Sequence, residues 1–275
     1  MYSGTTFRLK SGRIMGVHQR IDRLARRELT QLVPRKAYFP SEHDILHFEG
    51  LNGPDGIKRK SPGKDEPWHY IDPTDHSDKQ IHVMIRDHIH NLTNALVDKN
   101  TTRASFEAAW LAHAIADGLT PAHHYPLEEK LEELRDGQGL ETRNTHRKKI
   151  VLPGKTRRHQ FKNNWEFWGA KGVMTTHVAF ELGIATTLAA TGKMPSATPT
   201  SNDLVRLKNE GVEPLFDEAL HRIVGLKLYE EFSRSGWTRR LARSTREQLI
   251  PEIVRIITLA WHECYLEADR KGVKK

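Results

Sequence analysis

Apolar residues recur every three or four positions along most of this chain, and that period admits helices and little else. Ile14, Val17, Ile21, Leu24 and Ala25, then Leu29 and Leu32, mark an amphipathic helix over 14–33, stopped by Pro34. The period returns with Ile81, Met84, Ile85, Ile89, Leu92 and Leu96 over 78–98, and with Phe106, Ala109, Trp110, His113 and Ala116 over 105–118. A short charged helix is expected at 126–136 and an apolar one at 164–191. Beyond a Pro/Ser/Thr linker, two more are expected at 203–233 and 238–269. Strand signals are scarce, the modest candidate being 149–152. The sequence therefore predicts an all-α protein, a single-domain multi-helix bundle over 1–275. A chain of 275 residues with 37% hydrophobic and 28% charged content can bury its own core as a globular domain.

Two segments break the period. Residues 50–78 are rich in Gly, Pro, Asp and Lys and read as one long ordered loop, a kind that compact domains keep for function. Residues 136–163 form a basic insertion, read as an exposed loop or hairpin. Within 143–162, Arg143, Arg147, Lys148, Lys149, Lys155, Arg157, Arg158 and Lys162 alternate with His146, His159 and Phe161. With a net charge of +8, this stretch suits a solvated face, nucleic-acid phosphates or an anionic lipid surface. No run of ~20 apolar residues is present, so no transmembrane segment is expected. The first residues lack the apolar core of a secretory signal, which points to the cytoplasm as written, or to export if a leader has been removed. Cys264 is the single cysteine, which excludes internal disulfides and cysteine-based zinc sites.

Histidine is abundant, at 16 residues. Four His-x-x-x-Asp/Glu pairs place an imidazole and a carboxylate one helical turn apart: His18/Asp22, His113/Asp117, His124/Glu128 and His177/Glu181. Chance placement supplies some of these, and most such pairs are solvated ion pairs. His113/Asp117 and His177/Glu181 differ, because both lie in the apolar stretches AAWLAHAIADG and GVMTTHVAFELGIATTLAA. Burying polar groups there is costly unless they are paired or bind metal. His43 and His47 form a weaker candidate pair in an acidic setting, and His82, His88 and His90 are expected on a solvated helix surface.

The order of these residues resembles the zinc-dependent phospholipase C and single-strand-specific nuclease superfamily, an all-α group with a three-zinc centre. His18 follows Gly16, and Asp55 precedes His69 by 14 residues in PWHYIDPTD. Then come His113-x3-Asp117-x5-His123 and His177-x3-Glu181, so the likeness spans 12–185 and leaves the helices of 201–275 without a motif. The resemblance implies that Asp55, His69, His113 and Asp117 hold a first zinc. Asp117 would bridge to a second zinc bound by His18, and His123, His177 and Glu181 would hold the remaining one. It further implies a zinc-bridged hydroxide attacking phosphorus, with Asp55 as the catalytic carboxylate that orients or deprotonates it.

The chain departs from the family in three places. The family's amino-terminal tryptophan, which completes one zinc site, corresponds to Arg13, with 12 residues before it, so two zinc ions are as compatible as three. The gap from His123 to His177 is long and contains His146, but Ile150 rather than a carboxylate follows His146 by one turn, so His177 is preferred. Gly56 and Glu66 stand where phosphatidylcholine-preferring members carry aromatics, which gives no support for a choline cage. His124 is a candidate phosphate contact or supporting donor, and Trp165 and Trp168 are candidate substrate-stacking residues or core. The implied activity is a phospholipase C-like metal-dependent phosphodiester hydrolase acting on phospholipid. The alternatives are a nuclease or 3′-nucleotidase on single-stranded nucleic acid, and a non-catalytic zinc-stabilised binding module.

Overall fold

A computed structural model of the chain describes residues 16–60, 70–75, 77–125, 127–190, 195 and 197–272. Among them every regular element is helical: α1 (Val17–Leu32), α2 (Glu42–His47), α3 (Pro54–Lys60), α4 (Gln80–Val97), α5 (Thr101–Gly118), α6 (Leu127–Leu134), α7 (His146–Ile150), α8 (Arg157–Trp168) and α9 (Val173–Ala190). α10 (Ser201–Glu210), α11 (Glu213–Gly225), α12 (Leu228–Ser235), α13 (Arg239–Ser244) and α14 (Ile250–Gly272) follow. Single 3-10 turns occur at Gly50–Asn52, Pro121–His123 and Leu140–Thr142, and a π turn at Thr245–Leu249 joins α13 to α14. The all-α expectation holds.

α5 lies at the centre because its sequence leaves no polar face. Ala104, Ala108, Ala109, Ala112, Ala114 and Ala116 are buried, and their small side chains let α4 and α14 approach closely. Trp261 of α14 is fully buried, and its indole N–H donates to the Ala108 carbonyl at 3.1 Å. Burial of an aromatic of that size contributes about 2–3 kcal/mol. α1 packs along α14, which brings the start of α1 towards the carboxyl end of α5. Gly118 closes α5 at a point where a Cβ would come within 2.5 Å of Ile81 Cδ1 and 3.0 Å of the Phe216 ring. α4 and α11 therefore pack directly against the turn that carries Asp117.

The described parts of the segments read as loops include several helices. Residues 50–78 contain the Gly50–Asn52 turn and α3, which Pro54 starts from its first position. The basic insertion is not a hairpin and only in part a loop: Thr145 caps α7 through Lys148 N–H, Thr156 caps α8 through His159 N–H, and no strand forms at 149–152. It is pinned to α6 by the buried Arg135, which donates to Lys148 O at 3.1 Å and Thr142 Oγ1 at 2.8 Å, and by Asn163, which donates to Leu134 O at 2.8 Å. A second apolar cluster of Leu127, Leu131, Leu134, Leu152 and Phe167 forms beneath it. The long predicted helices are subdivided. A turn through Gly169 and Gly172 separates α8 from α9, and Gly211, at a φ of 77°, ends α10.

His82 is also corrected, since it is buried and meets Asp217 at 2.7 Å, while His88 meets Glu107 at 2.5 Å. The stretch Arg157–Ala190 is long and apolar enough, by length and composition alone, to cross a membrane, although 28% of its apolar window is buried inside the protein. The glycine-bearing turn divides that stretch, so each part is a separate helix.

Candidate metal centre

Asp117 is the hub. One turn after His113 on α5, its Oδ2 lies 3.2 Å from His113 Nε2. Its Oδ1 lies 3.1 Å from His18 Nε2, in the first turn of α1, and 3.7 Å from His123 Nε2, on the Pro121–His123 turn. Three imidazoles thus converge on the two oxygens of one buried carboxylate. Asp55, in the first turn of α3 and a third exposed (35%), reaches within 3.7 Å of His113 Nε2. On α9, His177 Nε2 lies 2.9 Å from Glu181 Oε1, and His123 Nε2 lies 3.2 Å from the same oxygen.

The result is two donor groups, His18/Asp55/His113 and His123/His177/Glu181, each with its ligand atoms within 4.8 Å of one another. Nitrogen and oxygen donors sit about 2 Å from zinc, so donors around a tetrahedral ion stand ~3.3 Å apart. The contacts of 2.9 to 3.7 Å bracket that spacing. His18 fits a ligand position: it is fully buried, its Nε2 approaches Asp117 Oδ1 outside hydrogen-bond geometry, and neither ring nitrogen makes a hydrogen bond among the described residues. Its ring also stacks on His113, with centroids 3.9 Å and planes 7° apart.

The donors are aimed by partners behind them. His177 Nδ1 lies 3.1 Å from the Ala122 carbonyl, and accordingly its Nε2 faces Glu181. His113 Nδ1 lies 3.4 Å from the carboxylate of Glu49, which is itself fully buried. Tyr70 stacks on His123 at 4.8 Å, and the Ile71 N–H donates to the His123 carbonyl at 3.1 Å, fixing the turn that carries that ligand. Glu49, Tyr70 and the buried Asp22 are the contributors that sequence reasoning missed. Tyr70 adjoins a candidate ligand in sequence, and Asp22 belongs to a weak His-x-x-x-Asp pair. Glu49 has no local signal, because its partner is 64 residues away. We expect Glu49→Gln to weaken metal affinity about 10- to 100-fold with little change in the fold, as loss of an orienting carboxylate does elsewhere. Unchanged affinity in a competitive chelator titration would remove Glu49 from this role.

Burial would raise the Asp117 carboxyl, yet the group is held well below its usual range, the imidazoles of His123, His113 and His18 contributing. Glu181 is also held well below its range against its burial, with His177 and His123 contributing. Desolvation opposes ionisation of Asp55 as well, and the His113 imidazole brings it down to about 2. Burial dominates at Asp22, which with the adjacent Glu49 charge raises it well above the ordinary carboxyl range. His123 is lowered to about 4 by desolvation and is neutral near pH 7, as a ligand must be. His113 is the opposite case: burial lowers it, but Asp117 and Glu49 raise it to about 10.

These directions predict proton release. In metal-free protein near neutral pH, His113 holds a proton that it must lose on coordination. Calorimetric zinc titrations in two buffers of different ionisation enthalpy should give different heats, and identical heats would sink the idea. The linked stability has a definite sign. Because the folded value exceeds the unfolded one of 6.5, the contribution of this group is complete below about pH 6.5 and lost as pH rises through about 10. Metal-free protein should therefore lose thermal stability over that range.

The structure brings together seven of the eight expected ligands: His18, Asp55, His113, Asp117, His123, His177 and Glu181. His69 lies outside the described residues, as do Arg13, Glu66 and the His146 side chain. His177 meets His123 and Glu181. His124 turns instead to the end of α5, with Nε2 2.9 Å from the Gly118 carbonyl. Trp165 and Trp168 sit on α8 with 62% and 42% exposure, their ring contacts being with Phe161 and Phe167. His43 is exposed on α2 beside Asp44, and His47 packs its edge on Phe48. No protein-family model, curated protein or solved structure matches the chain. Its likeness to the phospholipase C and nuclease superfamily rests on the ordered histidine and carboxylate positions alone.

Proposed function

We propose that this chain is a zinc-dependent phosphodiester hydrolase, most like a phospholipase C. The observation that carries the reading is the position of Asp117, whose two oxygens face the imidazoles of both donor groups. A carboxylate in that place can serve two ions at once, and adjacent divalent ions are the usual equipment for displacement at phosphorus. The donor set of imidazole nitrogens and carboxylate oxygens suits zinc. His18, Asp55, His113 and Asp117 would hold one ion or a bridged pair, and His123, His177 and Glu181 another. Zinc supplies two things when bound: it acidifies water and it draws charge from phosphoryl oxygen.

The chain's own groups have distinct tasks. Asp55, ionised and partly exposed, can accept the proton of an attacking water. Glu49 and the Ala122 carbonyl hold the imidazoles of His113 and His177 in register. Tyr70, whose phenol burial and the nearby Glu181 charge keep protonated well above its ordinary range, walls the His123 side of the site. A nuclease would use the same residues, so the substrate must be decided by assay. The decisive measurement pairs metal content with a substrate panel of bis-p-nitrophenyl phosphate, phospholipid vesicles and single-stranded oligonucleotide. Two or more zinc ions per chain and turnover of phospholipid are expected. Turnover of oligonucleotide alone would replace the lipase reading with the nuclease one. A single bound ion with no hydrolysis of any of the three would leave the non-catalytic binding module.

A further inference from the structure

Helix α9 holds His177 and Glu181 towards the centre, yet the stripe beside them is apolar and open to solvent. Val178 and Leu182 are 53% and 59% exposed, each one residue on from a ligand. This stripe continues backwards through Thr175, whose hydroxyl donates to the Trp168 carbonyl at 2.8 Å. From there it runs along α8 as Trp168, Trp165 and Phe161, spaced three and four residues apart on one face. Phe161 and Trp165 are 69% and 62% exposed, and their rings stack at 6.2 Å. The Trp168 indole donates to the Ile150 carbonyl at 2.7 Å, which sets the exposed Ile150 and Val151 against the same stripe. Large apolar side chains gathered in this way on a globular surface mark an interaction site.

Charge surrounds the stripe. Arg157, Arg158 and Lys162 on α8, Lys171 in the following turn, and Arg147 and Lys148 on α7 are exposed. The one acid on α8, Glu166, is engaged by Lys130 at 2.7 Å and does not offset them. We propose that the outer face of α8 and the start of α9 docks on an anionic lipid bilayer, with the aromatic and aliphatic stripe seated among the headgroups and the basic residues against their phosphates.

Several observations favour a bilayer over other occupants. Tryptophan and phenylalanine flanked by lysine and arginine are the side chains that settle at a lipid–water boundary. Single-stranded nucleic acid would use the aromatics for stacking, but Val178, Leu182, Ile150 and Val151 offer no π face and gain only by leaving water. A second copy would bring a basic rim against a basic rim. Insertion of α9 across the membrane would carry His177 and Glu181 into hydrocarbon, so the stripe lies on the surface and does not span it. Docking in this orientation sets the ligand-bearing helix parallel to the lipid headgroups. The surface stands independently of the hydrolase reading, and together the two name membrane phospholipid as the substrate class.

The test is co-sedimentation of the full chain, metal-free and zinc-loaded, with phosphatidylcholine vesicles made with and without phosphatidylglycerol. Wild type should bind vesicles containing phosphatidylglycerol in both metal states and neutral vesicles more weakly. The double variant Phe161→Ser/Trp165→Ser should lower the partition coefficient ~10-fold or more, given the apolar area withdrawn from the lipid. Arg157→Gln/Arg158→Gln should abolish the preference for anionic vesicles, whereas Lys208→Gln/Lys271→Gln, equal in charge but on α10 and α14, should preserve it. All substituted residues are exposed, and unchanged thermal melting confirms that each variant is folded. Wild-type partition that ignores vesicle charge, or that survives the Phe161/Trp165 change, overturns the proposal. So does binding confined to single-stranded oligonucleotide. Hydrolysis of soluble bis-p-nitrophenyl phosphate is read separately: its absence with intact vesicle binding defeats the hydrolase alone, and its presence without vesicle binding defeats the docking surface alone.

Discussion

Asp117→Asn should remove at least one zinc ion per chain and abolish phosphodiester turnover, with a loss of stability in the metal-free protein as well. The carboxylate is buried at the meeting point of His18, His113 and His123, at 3.1, 3.2 and 3.7 Å. An amide of the same shape keeps the packing and takes away the charge. Without metal, the protonated His113 then keeps Glu49 at 3.4 Å and the partly exposed Asp55 at 3.7 Å but loses its nearest acid, and breaking a buried pair of this kind costs about 3–5 kcal/mol. With metal, both donor groups lose the oxygen they share, so zinc stoichiometry should fall along with activity. Asp22→Asn is the matched control. That carboxyl is also buried beside Glu49 but is pushed towards its neutral form, so an amide replaces it with little change in charge. Metal analysis and thermal melting of the two variants separate the roles, and equal zinc content in Asp117→Asn and wild type would dismiss the bridging assignment.

The sequence made half of this centre legible because half of it is local. His113 with Asp117 and His177 with Glu181 are one-turn pairs on single helices, and the apolar composition around them announces that they are buried. The expected link between the two pairs came only from a resemblance in residue order, since nothing in a helical period says that α1, α3, α5 and α9 share an end. Glu49 stayed hidden because its contact with His113 depends wholly on tertiary packing. His82 was misplaced for the same reason, its partner Asp217 being 135 residues away.

The basic insertion failed differently. Its composition reads as solvated loop, yet the capping threonines Thr145 and Thr156 were present in the sequence, and Arg135 with Asn163 supplies the anchoring that composition does not show. The exposed stripe of Phe161, Trp165 and Trp168 follows from that helix. The sequence period starts a helix at 164, which covers Trp165 and Trp168, but leaves Phe161 in the loop and so does not join it to their face.

Asp55→Asn should reduce turnover of bis-p-nitrophenyl phosphate by ~10²–10⁴-fold, the range expected when a general base is lost. The fold should persist, because Asp55 stands in the first turn of α3 with a third of its side chain in solvent (35%). Its place among the ligand candidates allows a second explanation for lost activity, namely lost metal. Zinc content decides between them. A variant that keeps its zinc and loses turnover has lost proton transfer, whereas one that loses an ion has lost a ligand. Turnover within a few-fold of wild type, with zinc retained, would exclude Asp55 from proton transfer and leave its role as that of a ligand at most.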